Sequence, residues 1–421
     1  MVSTPARLGH NRIVIRTRAI LAAIACAALA AGCSDAPAES ARDAVTPTAD
    51  AAAAVTAAPA PVGDERGALI GDQSLAETAA VSPNGPVTAR KLVYRSTSGL
   101  DGSGTEVSGT VFVPPGAAPD GGWPIVSVGH GTTGVTDECA PSQYPDLLGA
   151  VGMVTALLEQ GYVVVASDYQ GLGTPGPHPY LEPKSAAHNL IDGVRAARAA
   201  VPNTSNRWAA LGLSQGGQAS WSAAEHAAGY GDGLEFVGAA HLSPAADLSH
   251  IADDLGGISL TLPQQIFLPM LLAGSEAQHA GLDPASYIRG ALADSREALM
   301  ACGPQAAERK WDAAVRITRA DSLPLTSADT DRMRAWLERI ALPQQRTEAP
   351  MLVVVGESDD LIPADWTRVA VTKACALGDV IALESRPGEG HADARANPGA
   401  VAWIADRFAG VPAPNTCPGT P

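Results

Sequence analysis

Trp208-Ala209-Ala210-Leu211-Gly212-Leu213-Ser214-Gln215-Gly216-Gly217 reads as a short apolar strand running into G-x-S-x-G and then into a helix rich in Ala and Gln. A serine nucleophile needs that order. It must stand on a sharp strand-to-helix turn, in a backbone conformation costly for a residue with a side chain. Such a turn crowds the positions two before and two after the serine, so Gly212 and Gly216 are expected there because they lack a Cβ. The following helix aims its first amides at the place where negative charge would develop. Taken alone the motif also fits an ordinary glycine turn after a buried strand, so its surroundings must decide.

Outward from this stretch, strand-like runs alternate with helical ones. Residues 91–94 and 108–113 predict an opening antiparallel pair, and 124–129 a short β-branched strand. A helix around 147–160 leads into a strand over 162–167, and a helix over 185–200 precedes the Trp208 run. Downstream come a helix to about His226, strands over 234–240, 351–356 and 380–384, and a last helix over 401–408. Continuous apolar strands separated by helices indicate an α/β fold with a mostly parallel sheet covered on both faces. Ligand chemistry in such folds gathers at the carboxyl ends of the strands. Between about 243 and 345 the alternation breaks into helical, Ala- and Leu-rich sequence with an apolar run over 260–272. The expected organisation is a core of 86–244 and 346–421, interrupted by a helical insertion over 245–345. That insertion reads either as a cap over the site or as a packed subdomain without a role.

The N-terminus reads as a targeting segment. Arg7, Arg12, Arg16 and Arg18 precede an apolar run over 19–31, too short for a comfortable membrane span. Leu29-Ala30-Ala31-Gly32-Cys33 resembles a bacterial lipoprotein cleavage site, with Cys33 as the lipidated residue; a more usual site has Leu where Ala30 stands. The expectation is a signal peptide over 1–32 and a cell-envelope lipoprotein, with free secretion as the alternative. Residues 33–85 are rich in Ala, Pro, Thr, Asp and Glu and hold no aromatic, a composition expected to remain a disordered tether.

The chain of 421 residues carries a formal charge of −16, and loss of the four signal arginines leaves −20. So acidic a surface disfavours nucleic acid and anionic membranes, which leaves the lipid anchor as the expected membrane contact. Neutral, apolar or cationic substrates stay open. Outside the leader, Cys139, Cys302, Cys375 and Cys417 allow three pairings and lack zinc spacing, so two disulfides are expected there instead of a zinc site; no cofactor is expected.

A serine hydroxyl is a weak nucleophile until a histidine takes its proton and a carboxylate orients that histidine. Gly356-Glu357-Ser358-Asp359-Asp360 follows the strongest strand and supplies Asp359, with Asp360 as its rival. Gly388-Glu389-Gly390-His391 follows the last strand, its glycines free to bring His391 inward. The order Ser214, Asp359, His391 is that of the α/β-hydrolase arrangement. One oxyanion donor is expected from the backbone N–H of Gln215. The other is expected from Thr132, with Gly131 and Thr133 as near alternatives, in the loop Gly129-His130-Gly131-Thr132-Thr133-Gly134. His130 and the loop over 167–173 read as structural supports.

With Gly129-His130-Gly131-Thr132, Ser167-Asp168-Tyr169-Gln170-Gly171-Leu172-Gly173, the Ser214 motif and Asp359-Asp360-Leu361-Ile362-Pro363, the chain resembles the secretory lipase family of α/β-hydrolases, which includes fungal secreted lipases and actinobacterial esterases. The resemblance spans roughly Thr88 to Gly410, with the helical stretch where family members carry a lid. It implies hydrolysis of small-molecule or lipid carboxylic esters without a metal, and it implies the pairings Cys139 with Cys302 and Cys375 with Cys417. The competing readings are a serine peptidase of the same fold and a non-catalytic lipid-binding lipoprotein.

Overall fold

The computed structural model describes residues 65–256, 260–303 and 305–418. The expected signal segment, Cys33 and most of the expected tether lie outside the described residues. The strands are β1 (Leu69–Ser74), β2 (Thr88–Thr97), β3 (Gly104–Val113), β4 (Trp123–Gly129), β5 (Val163–Ser167), β6 (Thr204–Leu213), β7 (Glu235–Leu242), β8 (Met351–Gly356) and β9 (Ile381–Arg386). They form one sheet in the order β1-β2-β3-β5-β4-β6-β7-β8-β9. From β5 to β9 all neighbours are parallel. The first three strands add antiparallel pairs at the other edge.

Both sheet faces are covered, which is why the parallel strands read as unbroken apolar runs. On one face Ile125, Val163, Val165, Trp208, Ala210, Val353 and Val355 lie in one buried cluster. Against it pack α2 (Pro183–Ala200) and α3 (Gln215–Tyr230), with α10 (Ala364–Leu377) farther along. The alternate residues Val126, Val128, Val164, Ala209, Leu211, Leu352 and Val354 point the other way. There they meet α1 (Val151–Glu159) and the C-terminal α11 (Asn397–Phe408).

Between β7 and β8 the chain runs through α4 (Ile251–Gly256), α5 (Leu262–Ala277), α6 (Gly290–Asp294), α7 (Arg296–Met300), α8 (Ala306–Ala314) and α9 (Ser327–Ile340). Their apolar faces form a cluster of their own, built on Ile266, Leu268, Leu272, Tyr287, Met333, Trp336 and Leu337. Tyr180, Leu181 and Ile362 reach into that cluster from core loops. The apolar run at 260–272 is therefore largely α5, opened by a capping box between Thr261 and Gln264 that satisfies two N-terminal amides. No helix among the described residues is long and apolar enough to cross a membrane.

One expectation needs correction. The tether was expected to run to 85, yet β1 pairs with β2 over 69–74. Its side chains are mostly exposed, and Asp72 bonds Arg90 across the pair at 2.7 Å. An edge strand held by backbone bonds and an ion pair has no alternating apolar signal to read.

Candidate active site

Ser214 sits between β6 and α3 with φ 58° and ψ −115°, a region that a side-chain-bearing residue enters only under constraint. The constraint is visible on both sides. A Cβ on Gly212 would overlap the Gly216 carbonyl, and one on Gly216 would overlap the carbonyl oxygen of Gly129 at the end of β4. Ser214 N–H donates to Leu242 O at 2.9 Å, and Ala245 N–H donates to Ser214 O at 3.1 Å, which ties the turn to the end of β7.

The loops after β8 and β9 meet beside it. Ser358 N–H donates to Glu389 O at 2.8 Å, so the two loops are joined directly. Asp359 Oδ1 accepts from Leu361 N–H at 3.0 Å and Ile362 N–H at 2.8 Å, which orients the carboxylate. Its other oxygen, Oδ2, lies 2.8 Å from His391 Nδ1. His391 Nε2 lies 2.9 Å from Ser214 Oγ. A carboxylate can only accept, so Nδ1 carries the proton and Nε2 is left as the acceptor of the serine hydroxyl. The three residues expected from sequence are thus within hydrogen-bonding distance in series. The rival Asp360 is used differently, since its backbone carbonyl accepts from Thr261 Oγ1 at 2.8 Å and so anchors the start of α5.

Gln215 is the first residue of α3 and has no carbonyl one turn earlier within its helix to which its N–H could donate. The loop carrying Thr132 lies alongside. A Cβ on Gly131 would sit 3.7 Å from Leu213 O and 4.0 Å from Ser214 Cβ. The neighbouring His130 is buried, its ring nitrogens 2.7 Å from Gly131 O and 3.3 Å from Asp168 O, and burial holds its pKa below the usual histidine range. Asp168 is buried too and accepts from Ser108 Oγ at 2.6 Å and Ser142 N–H at 2.8 Å. Tyr169 donates to His130 O at 3.1 Å. The 167–173 loop therefore braces the Gly129–Gly134 loop, in line with its expected supporting part.

Sequence reasoning missed two residues just ahead of α2. His178 Nε2 lies 3.0 Å from Gln215 Nε2, and Tyr180 OH lies 2.7 Å from Thr132 Oγ1. The only sequence signal was a cluster of Pro, His and Tyr over 175–180 in a chain with 4% aromatics. No spacing rule links that cluster to positions 132 and 215.

Two disulfides join Cys139 to Cys302 and Cys375 to Cys417, the pairings the resemblance implied. The first ties the turn after the Thr132 loop to the stretch between α7 and α8. Among the described residues, the one cluster with metal-ligand spacing is Glu138, Cys139 and Cys302. Both of its sulfurs are consumed in that disulfide, so it offers no thiolate and does not fit a metal.

Comparison with known proteins agrees with this architecture. The secretory lipase family model matches residues 149–274. A probable inactive lipase of Mycobacterium tuberculosis is 28% identical over 348 residues, covering 78% of this chain and 75% of that protein. Lipase A of Arthroderma benhamiae is 26% identical over 293 residues, 63% of this chain and 57% of its own length. Among solved structures, a ligand-bound form of the rice cell wall degrading esterase LipA from Xanthomonas oryzae superposes with a TM-score of 0.64 at 22% identity, covering 82% of this chain and 97% of that one. Candida antarctica lipase A in its closed state gives a TM-score of 0.62 at 19% identity and 85% coverage of both chains. At these identities the structural matches speak for the fold, and the family match speaks for residues 149–274. The chain therefore has the α/β-hydrolase fold, and its residues 149–274 match the secretory lipase family.

Proposed function

We propose that this protein is a serine hydrolase that cleaves carboxylic esters through an acyl-enzyme. One observation carries the reading: His391 bridges Ser214 Oγ at 2.9 Å and Asp359 Oδ2 at 2.8 Å, with its proton on the Asp359 side. Ser214 Oγ attacks the ester carbonyl while His391 Nε2 takes the hydroxyl proton, and the carbonyl electrons move onto oxygen. The backbone amides of Gln215 and Thr132 receive that oxyanion. As the C–O bond to the alcohol breaks, His391 returns the proton to the leaving oxygen. Water then attacks the acyl-serine with His391 again as base, releasing the acid and restoring Ser214. Asp359 holds the imidazole in the tautomer that accepts from Ser214 and stabilises the imidazolium, without itself taking the proton.

The helices between β7 and β8 serve in this reading as a cover for the acyl side of the site. Their separate apolar cluster and their anchorage at Asp360 support that part. Export, with a lipid anchor at Cys33, is the compartment we propose, supported by the secretory family match and the two disulfides.

The test is labelling with a fluorophosphonate probe together with turnover of p-nitrophenyl esters of graded chain length. Wild-type protein should be labelled at Ser214 and active, and Ser214→Ala should lose both. A folded wild-type protein that neither labels nor turns over any ester refutes the proposal.

A further inference from the structure

Tyr180 is 4% exposed, and among the described residues its hydroxyl has one partner, Thr132 Oγ1 at 2.7 Å. A buried phenol has one proton to place. If Tyr180 accepted from Thr132, its own O–H would be orphaned at a cost of about 1–3 kcal/mol. The favoured arrangement therefore has Tyr180 donating to Thr132 Oγ1. That leaves the Thr132 proton without a partner on Tyr180, on a half-buried side chain one residue from Gly131, which itself flanks Ser214.

We infer that the Thr132 side-chain hydroxyl is a further oxyanion donor beside the two backbone amides, and that Tyr180 is the positioning residue that aims it. The inference rests on the ester hydrolase reading and deepens it.

The segment that carries Tyr180 is fixed independently at several points. His178 Nδ1 donates to Gln170 O at 2.8 Å, which leaves Nε2 to accept from the Gln215 side chain at 3.0 Å. Burial lowers the His178 pKa to about 4, so the ring stays neutral and keeps that acceptor through the working pH range. Burial likewise raises the Tyr180 pKa to about 12, so its donor proton is retained. One short segment thus touches the residues on both sides of the expected oxyanion hole, Gln215 through His178 and Thr132 through Tyr180. From the other side, Gln278 Nε2 donates to Tyr180 O at 2.8 Å, and Trp336 Nε1 donates to Gln278 Oε1 at 3.0 Å. Gly274 of α5 lies so close that a Cβ there would come within 2.8 Å of Tyr180 O. The helices between β7 and β8 therefore clamp the residue that sets the Thr132 hydroxyl.

The experiment is steady-state hydrolysis of p-nitrophenyl butyrate by wild type, Thr132→Val, Thr132→Ser, Tyr180→Phe and the Tyr180→Phe/Thr132→Val double variant, with unfolding midpoints for each. Loss of one oxyanion donor lowers kcat by about 10²-fold, so Thr132→Val should fall by that order with KM nearly unchanged, while Thr132→Ser keeps most of the rate. Tyr180→Phe should lower kcat by about tenfold in the wild-type background and hardly at all in the Thr132→Val background, since its effect passes through the hydroxyl. A merely structural Tyr180 would instead lower kcat equally in both backgrounds and track the loss of stability. That result, or an unchanged kcat in Tyr180→Phe, overturns the inference. Should Tyr180→Phe fail to fold, the Thr132 pair still decides, because a Thr132→Ser as slow as Thr132→Val overturns it as well. A wild-type protein with no turnover at all refutes the hydrolase reading, whereas an active wild type with unaffected variants refutes only the aiming of Thr132.

Discussion

Replacing Asp359 with Asn keeps the shape of the side chain and exchanges one carboxylate oxygen for an amide donor. The structure says which oxygen is exchanged. Oδ1 accepts two backbone N–H groups, from Leu361 at 3.0 Å and Ile362 at 2.8 Å, while Oδ2 faces only His391 Nδ1 at 2.8 Å. An Asn with its NH2 toward Leu361 and Ile362 would orphan two amides, at about 1–3 kcal/mol each. The amide therefore turns its carbonyl to the backbone and its NH2 to His391. Nδ1 must then accept, the imidazole proton moves to Nε2, and His391 can no longer take a proton from Ser214. The expected loss in kcat is about 10⁴-fold, or about 5.5 kcal/mol of transition-state stabilisation, with KM little changed. Because the backbone bonds at Oδ1 survive, the unfolding midpoint of Asp359→Asn should stay near wild type. The assay is ester turnover beside urea unfolding, with Asp360→Asn as the paired control, expected to keep most of its rate because that side chain bonds neither His391 nor Ser214. An Asp359→Asn protein with more than a tenth of wild-type kcat, or an Asp360→Asn protein that loses as much, would show the tautomer argument to be wrong.

Three further outcomes follow from the packing. Glu225 is 3% exposed, both its oxygens take the Gln344 N–H, and burial raises its pKa from 4.5 to about 8. The support it gives the fold is complete below pH 4.5 and drains as pH rises through about 8, by up to about 5 kcal/mol; Glu225→Gln should flatten that slope when urea midpoints at pH 5 and pH 8.5 are compared. The Cys139–Cys302 bond closes a sequence separation of 163 and Cys375–Cys417 one of 42. In the chain-entropy limit their loss costs about 5 and about 4 kcal/mol, so thermal unfolding should show the Cys139→Ser/Cys302→Ser protein as the less stable double variant; the reverse ranking would mean that folded-state contacts outweigh loop closure. Gly216→Ala would drive a Cβ into the Gly129 carbonyl, which is backbone and cannot swing aside. Expression should yield insoluble protein, or soluble protein without probe labelling at Ser214, and an active, normally stable Gly216→Ala protein would contradict the crowding seen at the turn.

What the sequence determined by itself is the part governed by local rules. The run from Trp208 to Gly217 specified strand, turn and helix because a serine at φ 58° between crowded backbones tolerates only glycine two residues to either side. The parallel strands were legible because burial on both faces leaves no polar position in 351–356 and only the terminal Ser167 in 163–167. Asp359 and His391 could be named as candidates because strand ends in such a sheet converge, and their loops do meet beside Ser214. Tertiary structure decided what no local pattern encodes. That Asp359 and not Asp360 faces His391 depends on which carboxylate the Leu361 and Ile362 amides hold in place. Strand β1 escaped notice because an exposed edge strand is specified by its neighbour's free backbone groups and not by its own side chains. His178 and Tyr180 acquire their partners only when the loop before α2 is pressed against α3 on one side and α5 on the other. Contacts made across the fold leave no period or spacing in the chain, because the distance they bridge is set by packing and not by residue count.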